Sequence, residues 1–153
     1  MKRIIVIFIL FIINLNAEAE KISSKQTNIL AITAGNAYFG LKYNVISRLS
    51  MEVRSSFDTG VILFSGRLNY VFFKIKRLNI YSGFETGYIL FNYNNIRGKG
   101  WLFSPFAGIE YFVIKKLSVL SDIGYTIINL TSHSISVTGP EIILNLGINY
   151  YIF

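Results

Sequence analysis

The sequence predicts an all-β fold, an eight-stranded antiparallel up-and-down barrel, and three observations carry that expectation. A six-residue phrase occurs four times: Gly40-Leu41-Lys42-Tyr43-Asn44-Val45, Arg67-Leu68-Asn69-Tyr70-Val71-Phe72, Gly108-Ile109-Glu110-Tyr111-Phe112-Val113 and Gly147-Ile148-Asn149-Tyr150-Tyr151-Ile152. Polar and apolar positions alternate through each copy with period two, as in a strand with two different faces. A second phrase follows the first three copies: Ile46-Ser47-Arg48-Leu49-Ser50-Met51, Ile75-Lys76-Arg77-Leu78-Asn79-Ile80 and Ile114-Lys115-Lys116-Leu117-Ser118-Val119. It places a tight polar or basic turn before a restarted alternation. The phrases therefore count hairpins, and four hairpins without a free edge close into a barrel.

The elements follow in chain order. Lys2 and Arg3, the apolar stretch Ile4 to Ile13 and the small-x-small pattern Ala17-Glu18-Ala19 make residues 1–19 an expected secretory signal peptide. The apolar stretch is about half the roughly 20 residues that cross a bilayer as a helix. Residues 20–153 are then a single domain. Its strands are expected near 26–34, 37–45, 49–58, 61–73, 78–91, 101–113, 117–130 and 140–153. The first alternates poorly, since Ile29, Leu30, Ala31 and Ile32 are all apolar. The basic turns gather at one end. Connections at the other end are expected at Ala34-Gly35-Asn36, Asp58-Thr59-Gly60, Asn92 to Gly100 and Thr131 to Gly139, where Gly and Asn tolerate positive φ. Pro105 falls inside the sixth strand and lacks a ladder donor, so a bulge or locally broken pairing is expected there.

Parity divides the strands into two faces. One carries Leu41, Tyr43 and Val45, and likewise Met51, Val53, Phe84, Ile109, Val119, Ile123 and Ile148; the other carries Lys42, Glu52, Arg54, Arg67, Asn69, Glu85, Glu110, Asp122 and Asn149. In a soluble barrel the apolar face would point inward. Here the apolar face is too large for such an interior, and Tyr43, Tyr70, Tyr111 and Tyr150 recur at one level beside the basic turns, as an aromatic girdle does. The glycines share the charged face, where a narrow lumen needs small residues. These features predict a transmembrane barrel with an apolar exterior and a polar, charge-paired interior.

Charge narrows the function. Loss of Lys2, Arg3 and Glu18 with the leader takes the formal net charge from +7 to +6. The interior set holds three cations, Lys42, Arg54 and Arg67, against four anions, Glu52, Glu85, Glu110 and Asp122. Near balance is what a closed, ion-paired core requires, since an unpaired buried charge is too costly to keep. The excess positive charge lies at chain ends and turns: Lys21, Lys25, Arg48, Lys74, Lys76, Arg77, Lys115 and Lys116, with Arg97 and Lys99 at the other end. It is not gathered on one face with stacking aromatics, which excludes a nucleic-acid reading. Anionic lipid headgroups are the expected partner, with the basic turns facing the periplasm. No cysteine is present, so there is no disulfide or thiolate metal site, and no cofactor is expected.

The pattern resembles the small eight-stranded bacterial outer-membrane barrels of the OmpA transmembrane-domain and OmpX type. That resemblance implies bacterial outer-membrane localisation, and it implies that the terminal aromatic, Phe153, belongs to the signal read by the barrel-assembly machinery. The chain departs from that pattern, in which the final aromatic is in phase with the apolar face, because Tyr151 and Phe153 fall on the polar parity; a terminal bulge would reconcile the two. An enzymatic reading rests on His133, Ser134 and Glu141, a Ser/His/acid set near the second long connection. Outer-membrane lipid A deacylases resemble this chain in size, but their serine two residues after the histidine is replaced here by Ile135. The expected function is thus non-enzymatic, an envelope or surface-interaction role. A narrow conduit for small solutes and a lipid-modifying hydrolase using His133 are the alternatives.

Overall fold

Four leucines face four tyrosines, and that pairing fixes the hairpins. The computed structural model describes residues 29–93, 96–133 and 136–152. The predicted leader, Lys21, Lys25, Ser134 and Phe153 lie outside the described residues. The strands are β1 (Leu30–Gly35), β2 (Tyr38–Ile46), β3 (Leu49–Asp58), β4 (Val61–Ile75), β5 (Leu78–Tyr93), β6 (Ile96–Ile114), β7 (Leu117–Ser132) and β8 (Ser136–Tyr151). All neighbours are antiparallel, and β1 pairs with β8 to close the barrel. Leu30 lies opposite Tyr43, Leu49 opposite Tyr70, Leu78 opposite Tyr111 and Leu117 opposite Tyr150. The residue after each tyrosine donates its backbone N–H to the carbonyl just before the paired leucine: Asn44 to Ile29, Val71 to Arg48, Phe112 to Arg77 and Tyr151 to Lys116. Leu30-Ala31-Ile32 is therefore the fourth copy of the leucine phrase, hidden in the sequence because Ala31 stands where Ser50, Asn79 and Ser118 are polar.

At the basic end, Ile46 pairs with Leu49, Ile75 with Leu78 and Ile114 with Leu117, leaving Ser47-Arg48, Lys76-Arg77 and Lys115-Lys116 as two-residue turns. Each is preceded by a register shift, between Asn44 and Ile46, Val71 and Phe73, and Phe112 and Ile114. The extra residue in each case, Val45, Phe72 or Val113, stands two places after the tyrosine. Bulges sharpen local twist, which suits the rim of a small barrel. Going round by direct partners from Thr33, through Gly40, Arg54, Ser65, Gly87, Leu102 and Ile128, leads to Gly139, ten residues short of Asn149, the β8 partner of Thr33. With eight strands that stagger gives a tilt of about 40° and a backbone radius of about 8 Å.

Three expected connections need correction. The first hairpin turns at Asn36-Ala37 rather than at Ala34-Gly35-Asn36, because Gly35 stays paired with both Tyr38 and Gly147 while Ala37 takes the positive φ of 64°. Asn92 to Gly100 and Thr131 to Gly139 are mostly strand: Tyr93 pairs with Ile96 and Thr131 with Ser136. Gly98 and Gly100 mark close approach there, not turns, since a Cβ on either would meet the carbonyl of Thr131 or Asn129 on β7. No terminal bulge occurs through Tyr151, which stays in register opposite Ala31. At Pro105 the expected disruption is present, as locally broken pairing and not as a bulge: the β6–β7 rungs run to Phe103 opposite Ile127 and resume in the same register at Phe106 opposite Gly124.

Burial follows parity. Lys42, Glu52, Arg54, Arg67, Glu110, Asp122 and Asn149 are buried, whereas Leu41, Met51, Val53, Ile109, Ile123, Ile142 and Ile148 are each about half exposed or more.

Candidate functional site

Alternation sends every second side chain of each strand into a lumen about 8 Å in backbone radius, and the ten-residue stagger decides which of them meet. The centre of the resulting network is Arg67 on β4. Its Nη1 and Nη2 donate to Asp122 Oδ2 and Oδ1 on β7 at 3.1 and 2.9 Å, and its Nε lies 3.2 Å from Glu85 Oε2 on β5. The guanidinium carbon sits 3.6 Å from the Phe106 ring centroid on β6. Asp122 also accepts from the Tyr81 hydroxyl and Asn145 Nδ2, and Glu85 from the Ser65 hydroxyl.

Toward the basic turns, Glu110 on β6 collects four donors: Lys42 Nζ at 3.2 Å, Ser118 Oγ at 2.6 Å, Asn149 Nδ2 at 2.6 Å and the Tyr151 hydroxyl at 2.7 Å. Phe112 stacks on Tyr151 beside them. Toward the other mouth, Arg54 Nε donates to Glu52 Oε1 at 2.5 Å while its guanidinium stacks 3.9 Å from the Tyr38 ring centroid. All seven interior charges named from sequence thus enter ion pairs, with Arg67 serving two carboxylates. Charge-assisted and bidentate contacts of this kind are the strong class of hydrogen bond. Tyr38, Tyr81 and Phe106 were not among the interior residues named from sequence; they share the lumen with the charges and with Tyr151. Their signal is that they fall on the same parity as Lys42, Glu85, Glu110 and Asn149.

Two small cavities flank this layer. One, of about 250 Å³ at the basic end, is lined by Lys42, Arg48, Lys74, Asn79 and Glu110 among others. The second, of about 210 Å³ toward Asn36, is lined by Tyr38, Arg54, Ser65, Glu85 and Thr126. Among the described residues no group of three or more His, Asp or Glu side chains is placed to hold a metal ion.

The other predicted residues are dispersed. His133 is exposed in the β7–β8 connection, and Glu141 is exposed on β8 opposite Thr126. Five rungs separate that pair from Thr131 opposite Ser136, which puts Glu141 roughly 17 Å below the connection. His133 and Glu141 are not brought together. Of the girdle, Tyr43, Tyr70 and Tyr150 are half exposed. The Tyr111 hydroxyl is instead buried and makes no hydrogen bond, so the tyrosines share a level but not one environment.

The β1–β8 seam closes through Asn36. Past the last rung, Gly35 opposite Gly147, Asn36 N donates to Leu146 O, Leu146 N donates to Asn36 Oδ1 and Asn36 Nδ2 donates to Leu144 O. Pro140 lies farther along β8, in the stretch that has no β1 partner, where a missing donor costs no rung. No protein-family model matches this sequence, and a comparison with curated proteins finds no match.

Proposed function

We propose that the mature chain is an integral barrel of a bacterial outer membrane, exported by a cleaved leader, with a non-enzymatic envelope or surface-interaction role. One observation carries this reading. Buried charges fill the lumen while Ile32, Leu41, Val53, Phe64, Phe84, Ile109, Ile123 and Ile148, one from each strand of the ring, are exposed. A water-soluble barrel of this distribution would bury its ions and solvate its hydrocarbon, whereas lipid reverses the balance. The likeness of the repeat pattern to the small eight-stranded outer-membrane barrels supports the same reading, and with it assembly by the barrel-assembly machinery through Phe153. Lipids are the primary partner, with anionic headgroups against the basic turns. The short connections at the far mouth favour a small contact with any surface partner.

The test is fractionation. After an alkaline carbonate wash the protein is expected to stay with the outer membrane and to migrate faster in unheated than in heated gel samples. Release into the wash would overturn the membrane reading. The narrow-conduit reading is favoured by one feature, the two cavities on opposite sides of the Arg67 layer.

A further inference from the structure

We infer that the cavity at the basic end is an anion site that takes a phosphate-bearing group. Its floor is Lys42, 8 % exposed, whose ammonium meets Glu110 as its only hydrogen-bond acceptor among the described residues. An ammonium carries three donors, so two are left for a ligand in the cavity it lines. Arg48 and Lys74 stand at the mouth from the β2–β3 turn and the end of β4. Lys74 donates to the Ser47 carbonyl, and the Arg48 guanidinium has no hydrogen-bond partner among the described residues. The only carboxylate in the lining, Glu110, is already matched by Lys42 and three neutral donors. Arg48 and Lys74 are thus uncompensated, two positive charges around about 250 Å³. A phosphate monoester carries roughly −1.5 to −2 charges at neutral pH and has three strong acceptor oxygens. It matches both the charge and the unused donors, and Asn79 and Ser50 add neutral donors to the wall. The opposite cavity offers no such excess, since Arg54 is held by Glu52 and Glu85 lies in its lining.

The group can belong to a lipid headgroup at the membrane surface or to a soluble phosphate compound. The site does not rest on the membrane reading; only the lipid source does. The test uses the full mature chain, isotope-labelled and folded in zwitterionic detergent, titrated with inorganic phosphate. Saturable shifts are expected at the amides of Lys42, Ser50 and Asn79, with none at Thr59 and Gly60 at the far end. Removing each mouth cation should weaken binding about fivefold, so R48Q/K74Q should bind roughly twenty-five-fold more weakly while R97Q/K99Q is unchanged. Both pairs must retain heat-modifiable migration. Equal binding by R48Q/K74Q, or unsaturable shifts at both ends, would overturn the site. Repeating the titration in phosphatidylcholine nanodiscs with and without phosphatidic acid, whose headgroup is itself a phosphate monoester, separates the sources. Phosphate excluded only by the anionic lipid identifies a headgroup, and equal binding in both identifies a soluble ligand.

Discussion

Arg67 and Asp122 form a two-bond fork across the lumen, from β4 to β7, at 2.9 and 3.1 Å. Both are buried, and Glu85 leans on the same guanidinium through Nε. Removing the arginine strands two carboxylates, Asp122 fully buried and Glu85 largely so. Arg67→Met should therefore cost about 3–5 kcal/mol, the usual penalty for breaking a buried pair. The triple variant R67M/E85Q/D122N removes the charges together and should recover most of that loss. Urea unfolding of the detergent-folded protein reads both. Equal stability of the single variant and the parent would show that the fork contributes nothing.

The faces of this barrel were readable in the sequence, but its partners were not. Period-two alternation placed Lys42, Glu110 and Asp122 on one side because side-chain parity survives any register. Arg54–Glu52 lies along one strand and Arg67–Glu85 on one β4–β5 rung, whereas Lys42–Glu110 and Arg67–Asp122 cross the lumen and depend on the ten-residue stagger, which emerges only once β1 and β8 are paired. Two connections looked like loops because Gly98, Gly100 and Gly139 read as turn formers. In the barrel Gly98 and Gly100 sit where backbone of the next strand is too close for a Cβ. The bulges at Val45, Phe72 and Val113 went unseen for another reason: each falls beside a turn, where alternation ends anyway.

The β1–β8 seam depends on small residues. A Cβ on Gly147 would meet the Tyr38 hydroxyl and the Ala34 carbonyl. Gly147→Ala is expected to cost about 1–3 kcal/mol as overpacking, and Tyr38→Ala in the same chain should restore part of it. Asn36→Ala removes the side-chain hydrogen bonds to Leu144 and Leu146 and should cost about 1–2 kcal/mol. Unfolding midpoints in urea check all three. A Gly147→Ala protein as stable as the parent would show that the seam has slack.

The β6–β7 seam has its own weak point. Ser104 and Pro105 make no β7 rung, and the hydroxyl of Thr126 donates to Ser104 Oγ at 2.7 Å across the gap. Thr126→Val keeps the shape, removes this bond and leaves a buried serine oxygen with less to bond. A loss of about 1–2 kcal/mol is expected in the same unfolding assay. Pro105→Ala restores a backbone N–H at the break. It should slow amide exchange at Tyr125 and Thr126; unchanged exchange would mean the gap has another cause.

Under the proposed membrane placement, the position of the cations sets the orientation. Lys76-Arg77 and Lys115-Lys116 are two-residue turns at one end, and Thr59-Gly60 is a turn at the other. With no native cysteine in the chain, single cysteines can report each end cleanly. In intact cells a membrane-impermeant thiol reagent should label Thr59→Cys and spare Lys76→Cys and Lys116→Cys. Labelling of the basic turns from outside would reverse the placement.

Phe106 packs inside the lumen against Arg67 and Tyr81. Its ring lies 3.6 Å under the Arg67 guanidinium and packs edge-on against Tyr81, between the two cavities. An eight-stranded barrel has room only for its own interior side chains, so the parent is expected to give no steps in a planar bilayer. Phe106→Ala leaves every ion pair intact and empties the space between the cavities. Water entering there would solvate Arg67 and join the two ends, so small discrete conductance steps should appear in the variant alone. Steps already present in the parent would instead favour the conduit and show that the ion-pair layer opens by itself.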